Sequence, residues 1–326
     1  MKKITSILIS LIILAVIYWK IDFNELIKVI RNCNGWMMTI SLGMVVPLTF
    51  LTARRLQQLM PHRASLSFTD ANSLILVASV LNMILPSKMG DIVKAYFVKE
   101  KAQLDGLLSL SLVVFEKACN MISLLLWCAF GLILYPKKDW FFCVMTASVI
   151  FGLITCLLLL SSRKFTQICF ALMEFLLPKR FRSKLEKLHS SWDEMHDFFW
   201  SDKVQLCKIF STSVFIWFLH LFQIWLFILS LKAWAPFLAN LALAPLGILA
   251  GLLPLTFAGI GTRDAALIFL YHPFFNATTA AALGLLCTSR YFLPAIFGLP
   301  FLGKYLPRIR TARKKPGTFS QVGTEL

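Results

Sequence analysis

Apolar positions run along this chain in blocks of membrane-crossing length, and the polar residues fall between them. Uninterrupted blocks occupy about 4–20, 36–53, 106–135, 140–160, 209–231 and 277–302, each close to the ~20 residues that a helix needs to cross a bilayer. Two further apolar stretches, about 71–86 and 237–257, end differently. The first runs into "LPSKMGDIVKAYFVKE" (85–100) and the second into "LPLTFAGIGTRDAALIFL" (253–270). Each interruption gives Leu-Pro, a glycine a few residues on, then charge, then a resumed helical pattern. Pro86, Gly90 and Pro254 are its hinge positions. No run of short alternating strands is visible, which excludes a β-barrel. The pattern predicts an all-α polytopic membrane protein.

Composition supports this class. Of the 326 residues 58% are hydrophobic and 15% charged, with a mean hydropathy of +0.74, too apolar for a soluble domain of this size. A net charge of +17 would suit a nucleic-acid partner, but no RNA- or DNA-binding motif accompanies it. The cations gather between and after the apolar blocks, where they set topology and meet anionic headgroups. With the N-terminus cytoplasmic and both interrupted stretches returning to the side they entered from, the cytoplasmic side holds Lys2, Lys3, Arg54, Arg55, Arg63, the basic 161–208 segment and the tail cations from Lys304 to Lys315. Letting either stretch cross exports a basic block. The charge bias therefore predicts two opposed re-entrant helical hairpins beside about six full spans, an inverted repeat. The alternative is that Pro86 and Pro254 kink ordinary spans. Residues 1–305 form one transmembrane domain, with 161–208 a cytoplasmic amphipathic segment, and 306–326 a basic disordered tail. "MKKITSILISLIILAVIYWK" reads as a retained signal anchor, because Tyr18, Trp19 and Lys20 stand where a cleavage site needs small residues.

Ions at membrane depth should face a cavity or a partner. Lys88, Asp91 and Lys94 recur at intervals of three and share a helix face. Glu116 and Lys117 lie deep in the 106–135 block, Arg263 and Asp264 follow the second break, and Arg290 sits in the last block. Pairing of Glu116 with Lys88 or Arg290 fits the charges, and structural ion pairs gluing helices together are the plainer account of Glu116 and Lys117. Arginine grips phosphate through a bidentate fork, and "GIGTRDAA" brings a glycine turn (Gly259, Gly261) to a helix N-terminus, a ready anion site. Lys88, Lys94, Gly259, Gly261, Arg263 and Arg290 are thus the candidate substrate ligands, with Asp91, Glu116, Lys117 and Asp264 orienting them.

No catalytic set appears: Glu116, Ser87 and Thr262 are the only candidate nucleophiles or bases near the cations. No cofactor or metal is called for. His189, Asp193 and His196 lie on an amphipathic helix whose apolar face is Leu185, Leu188, Trp192, Met195 and Phe199, and they decorate its polar flank. The eight cysteines are scattered without a CxxC pair, as packing residues are.

"LPSKMGDIVKAYFV", "FEKACNMISLLL", "LPLTFAGIGTRDAAL" and "SRYFLPAIFG" resemble, in that order, the motifs of the lysylphosphatidylglycerol synthase/flippase transmembrane-domain family, over about residues 5–305. The most specific match is Gly259, Ile260, Gly261, Arg263 and Asp264. The family more often carries glutamate at 264 and 91 and arginine at 88. The best-known members join this membrane domain to a cytosolic aminoacyltransferase, which is not found within these 326 residues. The resemblance thus implies a stand-alone flippase, not an enzyme, that moves an anionic or phosphate-bearing lipid, a phospholipid or polyprenyl lipid, across the bacterial inner membrane with both termini cytoplasmic. A membrane enzyme acting on a lipid phosphate, or a scaffold for a lipid-linked glycosyltransferase, are the alternatives. A second copy of the chain or a separate lipid-modifying enzyme are the protein partners this reading allows.

Overall fold

A computed structural model describes residues 23–61, 64, 66–84, 90–104, 106–176, 182–253 and 261–314. These are helical almost throughout, with no strand among the described residues. In chain order the helices are α1 (Phe23–Arg31), α2 (Gly35–Gly43), α3 (Val45–Gln58), α4 (Phe68–Ile84), α5 (Gly90–Ala102), α6 (Gly106–Leu134), α7 (Trp140–Ser161), α8 (Arg163–Leu176), α9 (Arg182–Ser201), α10 (Lys203–Ser230), α11 (Phe237–Leu252), α12 (Thr262–Tyr271) and α13 (Ala277–Lys314).

Five segments are long and apolar enough to cross a membrane: Gly35–Gln58, Leu108–Leu134, Trp140–Ser161, Lys203–Ser230 and Ala277–Gly303. They coincide with five of the six expected spans; the block at 4–20 lies outside the described residues. This is a multi-pass α-helical membrane protein. The first of these spans is α2 and α3 together, broken at Met44. Pro47 has no N–H to return to the Gly43 carbonyl, and the Ser41 carbonyl just before the break accepts from Gln223 Nε2 at 2.8 Å.

That bond belongs to a series that orients the bundle. Asn34 N–H donates to Ser230 O at 2.7 Å, Arg55 Nη1 to Ser213 Oγ at 3.2 Å, and Gln205 Nε2 to Gln58 O at 2.7 Å. As numbers rise along α2–α3 they fall along α10, so the two are antiparallel. The chain leaves α3 at one end of this pair, toward α4 and α5, and leaves α10 at the other end, toward α11 and α12.

The helices after these exits are short. α4 has 17 residues and α11 has 16, about 24–25 Å each at 1.5 Å per residue, less than the ~30 Å hydrocarbon core. α4 packs on α5 and α11 on α12. Glycine sets the approach within each pair: a Cβ on Gly90 would stand 2.6 Å from Ala78 O, and one on Gly247 would stand 2.7 Å from Leu267 Cδ2. Each pair also leans on the long helix of the other half. A Cβ on Gly131 of α6 would stand 2.3 Å from the Leu241 carbonyl carbon of α11, and one on Gly298 of α13 would stand 2.4 Å from Leu76 O of α4. α5 meanwhile packs on α6, and α12 on α13.

Two apolar cores follow from this exchange. One gathers α3, α4, α5 and the first half of α6; the other gathers α11, α12, the second half of α6 and the second half of α10. The α9 helix caps the first. Trp192 and Phe199, from the apolar face that the sequence places on this helix, pack on protein. Phe199 stacks on Phe115 of α6 with ring centroids 3.6 Å apart, and Trp192 Nε1 donates to Leu159 O at 3.1 Å. Both rings find apolar or hydrogen-bonding partners at the bundle end.

Candidate functional site

The charged residues at membrane depth fall into two groups, one at each short helix pair. In the first, Glu116 is buried on α6, 3% exposed, and bridges two cations. Arg55 Nη2 donates to its Oε1 at 2.8 Å and Lys94 Nζ to its Oε2. Lys94 also lies 3.9 Å from Asp91, three residues back on α5, and Asp91 takes Lys117 Nζ at 2.7 Å. Lys88 and Pro86 lie outside the described residues. The group therefore joins Lys94, Asp91, Glu116 and Lys117, and among the described residues the cations on Glu116 are Arg55 and Lys94, not Arg290.

Arg55 is the residue that sequence reasoning missed. It was counted with Arg54 among cations outside the bilayer, yet it is 2% exposed. The signal lay in helical phase. Arg55 follows Leu48 by seven residues and precedes Leu59 by four, and both leucines are buried, so all three occupy one face. Arg54, one position round, is exposed and bonds Gln57. Arg55 also reaches Asn120 Oδ1 at 2.6 Å. Arg55, Lys94 and Lys117 stand against Asp91 and Glu116, one positive charge in excess. Lys117 keeps about half of its side chain exposed, near the middle of α6.

The second group is built on the turn into α12. Gly261 has φ 99°, a left-handed conformation that other residues adopt only with strain. Its N–H donates to Asp264 Oδ2 at 3.1 Å. The protein's own carboxylate thus occupies a helix N-terminus that the glycine pattern seemed to reserve for a substrate anion. Arg263 is buried beside it, with Nη2 donating to Asp264 Oδ1 at 2.9 Å, to Gly284 O at 3.1 Å and to Thr288 Oγ1. These bonds clamp α12 onto α13. Gly284 lets them form, because a Cβ there would stand 2.7 Å from Asp264 Oδ1. Gly259 and Pro254 lie outside the described residues.

Arg290 differs from both groups. It sits on α13, 9% exposed, and forms no ion pair among the described residues. Its Nη1 donates to His220 O at a long 3.4 Å, its guanidinium lies 5.8 Å from the Tyr291 ring, and its Nε is buried without a partner. A charge so enclosed is destabilising unless an anion meets it.

The histidines of α9 lie against protein groups, His189 stacking on Phe170 with ring centroids 4.6 Å apart. His189 Nε2 lies 3.6 Å from Asp193 Oδ2, and His196 Nδ1 accepts from Arg163 Nε at 3.1 Å. The family model described as the lysylphosphatidylglycerol synthase TM region matches residues 3–298. Comparison with curated proteins returned no significant match.

Proposed function

The chain belongs to the lysylphosphatidylglycerol synthase TM-region family, and from that premise we propose that it moves an anionic, phosphate-bearing lipid between the leaflets of the bacterial inner membrane without chemical change. The observation that carries this reading is Arg290, a buried guanidinium on a spanning helix with no carboxylate among the described residues to neutralise it. Arginine stays charged at any depth and offers a planar fork that fits phosphate oxygens. A lipid phosphate entering from the side supplies the missing negative charge while its acyl chains remain in the bilayer.

In this reading α4–α5 and α11–α12 are re-entrant hairpins of an inverted repeat. Their exits from opposite ends of the antiparallel α2–α3 and α10 pair support it, as does the exchange of seats at Gly131 and Gly298. The Glu116 group and the Arg263–Asp264 clamp then lie on opposite hairpins. Lys94 and Arg263 join the headgroup site as their carboxylates exchange partners, opening the site to one side and then the other. The end carrying Gln58 and Gln205 is cytoplasmic, consistent with Lys99, Lys101 and Lys203 beside it. With no nucleotide-binding motif in the sequence, a gradient, an ion or mass action drives the movement.

Purified protein in liposomes with a fluorescent phosphatidylglycerol, bleached from outside by dithionite, tests the proposal. Wild type should expose inner-leaflet probe. Arg290→Gln should slow this at least tenfold, with a melting temperature no lower than wild type, and Arg290→Lys should be nearly as slow because it loses the fork. A wild-type protein that moves no anionic lipid, or that alters the lipid chemically, would refute the reading.

A further inference from the structure

Besides Arg290 Nε, three more buried nitrogens near α10 lack partners among the described residues: Arg55 Nε, Trp217 Nε1 and His220 Nδ1. Ser213, Trp217 and His220 recur at i, i+4 and i+7, so they share one face of α10. Arg55 reaches that face at Ser213, 3.2 Å away. Arg290 reaches it from α13 at the His220 carbonyl. Between them the Trp217 and His220 rings lie 5.6 Å apart, and His220 is near enough to both guanidiniums for their charges to act on it.

The chemistry of these four atoms is one-sided. Arg Nε and Trp Nε1 can only donate, and His Nδ1 donates in one of its two neutral tautomers. Buried donors without acceptors are rare in folded proteins and destabilising. Two ring donors on one face of α10, one of them convertible, with a guanidinium Nε brought to that face from α3 and another from α13, complement an oxyanion. Arg55 has its Nη atoms committed to Glu116, Asn120 and Ser213, so the uncompensated charge is that of Arg290. Gln223, three residues beyond His220, adds a buried acceptor, Oε1, also unpartnered.

We infer that Arg55, Trp217, His220 and Arg290 form an oxyanion seat on α10 that takes the phosphate ester of the lipid headgroup through four N–H donors, while Gln223 Oε1 accepts from a headgroup hydroxyl. This rests on the lipid-transport reading above and supplies its ligand set. The seat lies on the helix that precedes the second hairpin, so the anion stays bound to a spanning helix while the hairpins rearrange around it.

The test uses full-length protein, with Trp217→Phe and His220→Phe, each of which removes one donor and keeps an aromatic ring. In detergent, dioctanoylphosphatidylglycerol should raise the wild-type melting temperature and dioctanoylglycerol, which lacks the phosphate, should not. The double variant should lose the shift, and each single variant should move fluorescent phosphatidylglycerol about tenfold more slowly in liposomes, as loss of one buried hydrogen bond implies. Without ligand, each variant should melt no lower than wild type, because it discards an unsatisfied donor; a clear drop would assign these residues to packing and overturn the seat. Equal stabilisation by inorganic phosphate and by the short-chain lipid would replace the headgroup with a free ion. Wild-type transport rates in both variants would overturn the seat and leave the transport reading intact. Donor-dependent lipid binding with no movement in wild type would keep the seat and end the transport reading.

Discussion

Glu116 holds two cations that have few other anionic partners, and this makes it the most sensitive position in the first group. Its removal leaves Arg55 and Lys94 facing each other in a dry interior, a situation that destabilises proteins by about 3–5 kcal/mol. Glu116→Gln should therefore lower the melting temperature in detergent markedly, whereas Lys117→Gln should change it little, since Lys117 is half-exposed in its pair with Asp91 and such pairs contribute about 0–1 kcal/mol. A Glu116→Gln protein as stable as wild type would show that the bridge is dispensable. The burial of Glu116 was legible in the sequence, because long uncharged stretches flank it on both sides. Its partner was not. That Arg55 reaches Glu116 depends on the rotation of α3 about its axis, which tertiary packing fixes. At the second break the sequence showed that Gly261, Arg263 and Asp264 act together, but not that Asp264 would turn inward to cap its own helix.

At the scale of elements, glycines decide which helices touch. Gly131→Ala and Gly298→Ala each place a methyl group against backbone, at 2.3 and 2.4 Å, and backbone cannot give way as a side-chain tip can. Overpacking of this kind costs about 1–3 kcal/mol. Gly43→Ala meets nothing within 4 Å and should be neutral or stabilising by up to about 1 kcal/mol. Melting temperatures of the three variants check the contrast, and equal behaviour would mean that the seats are loose. Single cysteines at Lys28 and Lys203, in a background freed of the eight native thiols, should label from opposite faces of the membrane with an impermeant maleimide. The long apolar blocks were legible as spans because twenty apolar residues have few other fates. The apolar stripe of α9 was legible but not what covers it, because a Trp and Phe stripe looks the same whether it meets lipid or the end of a bundle; for Phe199 the position of Phe115 decides.

Across the whole molecule, neither half is complete. The first short helix pair rests on α13 and the second on α6, so separating the halves bares the glycine seat of each. Expressed alone, 1–178 and 179–326 should be degraded, and expressed together they should accumulate and co-purify; stable accumulation of either fragment by itself would contradict the exchange. The exchange also sets a timetable for synthesis. When α11 is made, α6 is already in place to receive it. For α4 the order is reversed, because Leu76 must wait for Gly298, about 220 residues later. At ~5–20 residues per second that wait is on the order of ten to forty seconds. Throughout it the first pair sits in the membrane without its support, held by lipid or by the insertion machinery and open to intramembrane proteases. A substitution at Gly298 will therefore show itself as the loss of a segment translated about 220 residues earlier.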